Sequence, residues 1–343
     1  MNRIALSTTL TLAAFTPFAL RGQDLPDNPN PNRFSFGPTF GLNFKADFNG
    51  TAYFNNRNPG PNAGGVNHYY NDGFVLLDAS GDAGGFTANW GYQNASQTAV
   101  AGSIQFHSIQ SGGPSSVTGD PQYGGEFIYQ RVVGPLPFLS GDWGLEAGFG
   151  FTELDLRENL SGNVPVTTDT YSLFGLPFTP PPEPNAGLGG SPGVNISGAI
   201  LDTPVRGPNT IATLSGQQKL SGQLFSLRLG PFAEWNFTSK LSLAASVGLT
   251  LAPAMVDYDF SETATLPGAG GIYVASGHSS KTELLYGPYV GAMIRYDLND
   301  HWGVFAGARF QNLTDLNQST GGSSARLNAS ATVYATAGIS WKF

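Results

Sequence analysis

Three charged residues interrupt stretches of chain that are otherwise nearly uncharged: Glu126, Arg228 and Arg309. Each falls on the polar side of an alternating run, and each is the same distance from a landmark. Arg228 lies seven residues before Trp235, Arg309 seven after Trp302, and Glu126 seven before Val133, where a proline-bearing turn begins. At ~3.3 Å per residue and a tilt near 40°, that offset puts all three roughly 15–18 Å from one end of the runs. A carboxylate at the height of two guanidiniums suits ion pairing, because a buried charge without a partner is costly. The expectation is a Glu126–Arg228/Arg309 cluster that bridges an interior and narrows it.

Other reactive side chains are sparse. The histidines are His68, His107, His278 and His301. Asp300-His301 has the residue types of a protease pair, but it sits in a short turn, where a turn role is favoured. His107, Ser103 and Asn89 have the types needed for a serine hydrolase on one candidate strand, yet no partner on a neighbouring strand is visible. Gly148-Phe149-Gly150 has no following helix to receive a phosphate. With no cysteine, thiol catalysis, disulfides and Cys-ligated metals are excluded. No zinc, EF-hand, Walker or Rossmann pattern occurs in context, so the chain is expected to hold no cofactor and to be no enzyme. Acids outnumber bases 24 to 16, which leaves no basic stripe for nucleic acid.

The segments that must hold these residues read as strands. From Arg33 to Phe48, Phe34, Phe36, Pro38, Phe40, Leu42, Phe44, Ala46 and Phe48 share one face against Ser35, Gly37, Thr39, Gly41, Asn43, Lys45 and Asp47. At the C-terminus, Leu327, Ala329, Ala331, Val333, Ala335, Ala337, Ile339, Trp341 and Phe343 do the same. Period two of this length is strand, not helix. Further runs lie at 122–133, 142–156, 217–235, 240–256, 280–297 and 301–313. Some runs exceed the ~9–11 residues a tilted strand needs to cross a bilayer. Their polar faces carry Gly, Ser, Thr and Asn rather than Lys and Glu, which suits the crowded inside of a closed barrel. A closed barrel also satisfies every backbone group internally.

Turn lengths orient the runs. Asn236–Lys240 and Asp297–His301 are tight turns, and Val133–Asp142 is only somewhat longer. Trp143, Trp235, Tyr296, Trp302 and Trp341 cluster at these ends, as an aromatic girdle at one membrane interface would. The opposite ends carry long loops, at about 50–67, 157–216, 259–279 and 311–324. The loop 157–216 holds the run Thr179-Pro180-Pro181-Pro182-Glu183-Pro184. Residues 1–23, with Arg3 followed by an apolar stretch, read as a secretory signal peptide. Residues 24–32 read as a flexible periplasmic lead-in, and 33–343 as the barrel.

With its signal segment, its alternating runs and a last strand ending Gly338-Ile339-Ser340-Trp341-Lys342-Phe343, the chain resembles bacterial outer-membrane β-barrels and is similar to the small OmpA-like and porin-like ones. The resemblance covers residues 33–343. It implies an all-β, transmembrane, antiparallel up-and-down barrel in the outer membrane of a Gram-negative-type bacterium. It also implies that Phe343 is the assembly signal read by the barrel-assembly machinery, and that the partners are outer-membrane lipids and that machinery.

Single-chain bacterial barrels usually have even strand numbers. Adding 33–48, Tyr69–Asp78 and Phe86–Ser108 to the seven runs counted back from Phe343 gives ten strands, with eight and twelve as alternatives. Two functions fit: a porin-like barrel with a narrow polar lumen passing small solutes or ions, or a closed barrel acting in surface interaction through its loops. An outer-membrane enzyme is the third and least favoured reading.

Overall fold

In the computed structural model, residues 32–50, 67–76, 85–109, 115–136, 141–173, 200–267 and 271–343 are described. The expected signal segment, most of the expected lead-in and 50–67 loop, and the polyproline run lie outside them. Apart from one 3₁₀ turn at Ala95–Thr98, regular structure among the described residues is entirely strand.

Eight strands close into a ring. They are β1 (Asn32–Leu42), β2 (Gln122–Pro135), β3 (Asp142–Ser172), β4 (Thr210–Asn236), β5 (Leu241–Thr265), β6 (Ile272–Asp297), β7 (Trp302–Gln311) and β8 (Thr332–Lys342). Each pairs antiparallel with its neighbour in sequence, and β8 pairs with β1 to shut the ring. The architecture is an up-and-down, transmembrane-type β-barrel with eight strands rather than ten.

The two segments that raised the count to ten lie outside the ring. His68–Tyr70 and Gly73–Leu76 form a hairpin that pairs with Asn89–Tyr92. Ser103–Ile109 pairs with the far part of β3. All four residues of Gly73–Leu76 are buried, so this segment has no outward apolar stripe to give to lipid. Val75, with Tyr70 of the same hairpin, packs instead into a satellite core with Trp90, Tyr92, Ile104, Phe106, Tyr171 and Ile200.

The outer surface of the ring is an apolar belt that includes exposed Phe36, Phe127, Phe149, Leu229, Leu249, Val290, Ile294, Phe310 and Ile339. At one end of the belt lie Trp143, Trp235, Tyr296, Trp302 and Trp341, beside the short turns; Trp302 and Trp341 face each other across β7 and β8. Phe343 stacks on Trp341 and Phe34 at centroid distances of 4.7 and 5.1 Å. Its backbone exchanges hydrogen bonds with Asn32, closing the seam at this end.

Strands β3 to β6 run far beyond the belt. The β3–β4 ladder is continuous from Asp142–Glu234 to Val166–Thr210, so residues 157–172 and 210–216, expected in a loop, are strand. Likewise β5 continues to Thr265 and β6 begins at Ile272, within the expected loop 259–279. Beyond the belt the pattern inverts. Val164, Val166, Ala212 and Leu214 are buried while Asn159, Ser161, Ser215 and Gln217 lie outside or at the edge of solvent.

The other four ring strands break at this level and resume as a second tier. Lys45–Asn49, Leu316–Thr320, Ser323–Asn328 and Ser115–Thr118 form a four-stranded sheet continuing β1, β7, β8 and β2. The hairpin 316–328 occupies most of the expected loop 311–324. Lys281 Nζ donates to Asn317 O (2.9 Å), tying this sheet to β6, and Asp155 N donates to Gln122 Oε1 (2.7 Å), tying the start of β2 to β3.

Crossing the break reverses the faces. On β1, Phe36, Phe40 and Leu42 point outward, whereas Phe44, Ala46 and Phe48 are within 1% of full burial. On the last run, Leu327 and Ala329 are buried but Ile339 and Trp341 are exposed. The two uninterrupted stripes read from sequence are therefore each two half-stripes on opposite faces. The inward halves fill the second tier with an apolar core that includes Leu154, Leu220, Val256, Tyr258, Phe260 and Leu316.

Candidate functional site

Below that core, the inside of the ring is ionic. Even-numbered positions of β2 and β3 and of β4 near the belt centre point inward, as the pleat requires, and they deliver Glu126, Gln130, Glu146 and Arg228 to one space. Arg295 from β6 and Arg309 from β7 join them. All six are buried.

The three residues singled out from sequence meet. Arg228 Nη2 lies 2.9 Å from Glu126 Oε2, and Arg309 Nη1 contacts the same oxygen. Each arginine also lies over a tyrosine ring, Arg228 on Tyr289 at 5.3 Å and Arg309 on Tyr334 at 4.5 Å. Such stacking suits a guanidinium because it is planar and weakly hydrated.

The structure adds partners that sequence spacing did not single out. Arg228 Nη1 is 3.5 Å from Glu146, which also accepts from Gln130 Nε2 (2.7 Å) and Tyr289 OH (3.3 Å). Arg295 donates to Gln130 and lies 3.1 Å from Glu234. Arg33 donates to both Glu234 oxygens at 2.9 and 3.2 Å, and Ser242 Oγ donates at 2.6 Å. The result is one chain of ion-paired and hydrogen-bonded side chains, Arg33–Glu234–Arg295–Gln130–Glu146–Arg228–Glu126–Arg309, with the neutral Gln130 amide joining its two charged halves, running from the tryptophan end to the foot of the apolar core. Glu146 and Glu234 alternate with the apolar residues of their runs and so share the polar face with Gly148 and Arg228. Their link to Arg228 through Gln130 and Arg295 depends on ring closure, which brings β2, β3, β4 and β6 across the lumen.

Gly148 makes room for this arrangement. A Cβ there would meet Arg228 Nη2 at 2.6 Å and Nε at 2.8 Å. The space remaining among Glu126, Arg228, Met293, Arg309 and their neighbours is about 20 Å³, enough for about one water. At the tryptophan end a wider vestibule of about 350 Å³ opens beside Arg33, Asp142, Glu234, Asp297 and Lys342.

The remaining candidates fall elsewhere. His301 lies in its turn, with Nδ1 3.3 Å from the Lys342 carbonyl. His107 is buried against Asp72 (2.6 Å), not Ser103, and its backbone N–H also donates to Asp72. That pair ties the hairpin 68–76 to the strand Ser103–Ile109. Next to it, Tyr70 OH donates to Asp169, which Arg206 grips with two 2.9 Å bonds. The Arg206 hydrogen bonds hold the Asp169 carboxyl below its ordinary range. Burial pushes Tyr171, 2.7 Å from Tyr70 OH, up to about 12. Among the described residues no group of His, Cys, Asp and Glu has the arrangement of a metal site.

No protein-family model matches the chain, and no curated protein matches it. Among solved structures, it is similar to Ail, the attachment invasion locus protein of Yersinia pestis, at 11% identity and a TM-score of 0.25, covering 91% of this chain and 99% of that one. It is also similar to the outer membrane protease OmpT from Escherichia coli, at 12% identity and a TM-score of 0.28, covering 92% and 98%. At such scores the likenesses lend no weight to any functional assignment.

Proposed function

We propose that the chain is an integral outer-membrane barrel with a closed lumen, acting at the cell surface through the structured tier beyond its lipid belt. The outward apolar belt with its aromatic rim supports the membrane placement, since lipid requires an apolar exterior and a ring without free edges. On this reading the tryptophan end is periplasmic, Phe343 is the assembly signal, and residues 1–23 direct export and are removed.

The observation that carries the closed lumen is the roughly water-sized space among the paired charges, with the apolar core stacked above it. An eight-stranded ring encloses a space that side chains can fill. A porin-like path for small solutes or ions would need to displace both layers.

Planar-bilayer recording of the purified, heat-modifiable protein tests this. The expected result is membrane insertion without stepwise conductance. Stable, ohmic steps carried by the wild-type protein would replace the closed reading with the diffusion-channel one.

A further inference from the structure

The outward surface just beyond the belt carries a line of hydrogen-bonded side chains that no part of the lumen uses. His278 Nδ1 is 2.7 Å from Asp259 Oδ1, and His278 Nε2 is 3.0 Å from Ser280 Oγ. The β5–β6 register explains the line. Asp259 stands opposite His278, and Ser280, two residues along β6 and hence on the same face, stands opposite Asp257. The His278 and Asp259 side chains are 59% and 51% exposed, so a molecule outside the barrel can reach them. Beside Ser280 a groove of about 310 Å³ opens, with Gln223, Met255, Asp257, Lys281 and Thr282 among its walls. On β6 the outward apolar residues of the belt end at Leu284, four residues from Ser280, roughly 10 Å away along a tilted strand.

We propose that Ser280, His278 and Asp259 form a serine hydrolase site for carboxylic esters of amphiphiles presented at the outer edge of the lipid layer. Asp259 accepts a hydrogen bond from Nδ1–H, which fixes the tautomer that leaves the Nε2 lone pair directed at the serine hydroxyl. Ser280 Oγ attacks the ester carbonyl carbon while its proton passes to Nε2. Collapse of the tetrahedral adduct breaks the acyl C–O bond, and the alcohol departs with that proton. Water then attacks the acyl-serine, again giving a proton to Nε2; the acid is released as Ser280 regains its hydrogen. The Thr282 hydroxyl and the Gln223 amide are the neutral side-chain donors in the groove for the carbonyl oxygen. Asp257 Oδ1, accepting from Ser280 Oγ at 2.5 Å, competes with His278 for the hydroxyl proton. A site with that competition favours slow turnover. The amphiphile assignment follows from position: Met255 opens the groove toward the belt, and the site faces away from the lumen.

The test uses full-length mature barrel, refolded in detergent and shown to be heat-modifiable, with p-nitrophenyl butyrate, a fluorogenic phospholipid in mixed micelles and a fluorophosphonate probe. The expected result is turnover of both esters and phosphonylation mapped by mass spectrometry to Ser280. Ser280→Ala should abolish both signals while keeping the heat-modifiable migration. Asp259→Asn should lower kcat on the order of 10²–10⁴-fold with KM nearly unchanged, as expected of a positioning residue. Ester turnover equal in wild type and Ser280→Ala, or absence of label on Ser280, would overturn the site. Turnover of the soluble ester alone would overturn the amphiphile assignment.

Discussion

Asn43 and Ala331 meet at the level where the barrel changes character: Asn43 Nδ2 donates to the Ala331 carbonyl at 2.7 Å. Both have positive φ, 64° and 79°, the only non-glycine residues among those described that do. Each interrupts a run whose apolar alternation continues through it unbroken. The left-handed residue switches the strand's faces, so apolar side chains meet lipid on one side of the pair and the interior on the other. One hydrogen bond just past the end of β1 and just before the start of β8 thus marks the boundary between a barrel wrapped in lipid and one filled with its own core.

The strain at this joint is unequal. Asparagine tolerates the left-handed region, whereas alanine there costs roughly 1–2 kcal/mol. Ala331→Gly should therefore stabilise the barrel by about 0.5–1 kcal/mol. A higher urea midpoint for the folded, heat-modifiable form would show it. A lower midpoint would mean that the alanine methyl contributes packing that outweighs its strain.

Glu126 is the carboxylate shared by two arginines. Glu126→Gln leaves Arg228 and Arg309 buried as like charges, and removing one member of a buried ion pair costs about 3–5 kcal/mol. A large loss of unfolding temperature is expected, greater than for Asp155→Asn at an exposed pair on the outer wall. Equal shifts in the two variants would show that lumen water screens the cluster.

The two layers of the lumen predict how a widened network behaves. Arg228→Ala with Arg309→Ala enlarges the space below the apolar core but leaves Phe44, Phe260 and Leu316 above it. Bilayer recordings should remain free of steps. Cation-selective steps would make the charge network the sole barrier.

Gly148 is fitted to Arg228. Gly148→Ala should push the guanidinium from Glu126 and destabilise the barrel by a few kcal/mol, of the order seen for overpacking, while Gly162→Ala, with nothing within 4 Å of the new methyl, should be silent. Comparison of their urea midpoints checks the difference.

Asp169 gives a pH dependence outside the belt. Its carboxyl is held low by the Arg206 hydrogen bonds, so the stability it contributes is present above its ordinary pKa of ~4. That contribution is lost as pH falls through the lower folded value. The short strand Val205–Arg206, paired with Asp169 and Thr170, should loosen there. A spin label at Val205 should gain mobility in acid, reversibly. Arg206→Ala should show the mobile spectrum already at pH 7.

Several features were legible in the sequence because they depend on local period and composition. Alternating runs with small polar inner faces specify antiparallel strands around a crowded interior. Tryptophans beside tight turns specify one rim, and equal offsets from that rim specify the height at which Glu126, Arg228 and Arg309 meet. The eight-strand ring, the face reversals at Asn43 and Ala331, the partners Glu146, Gln130, Arg295 and Glu234, and the line Asp259–His278–Ser280 came only with the tertiary structure. Alternation records that successive side chains oppose each other, but it carries no sign for inside and outside. That sign is set by what each level of the wall touches, and a single residue of positive φ inverts it without altering the pattern. Cross-strand neighbours such as Asp259 and His278, nineteen residues apart, are fixed by the register of the β5–β6 ladder, which the connecting turn and the packing of the buried face set and the alternation within either strand does not encode.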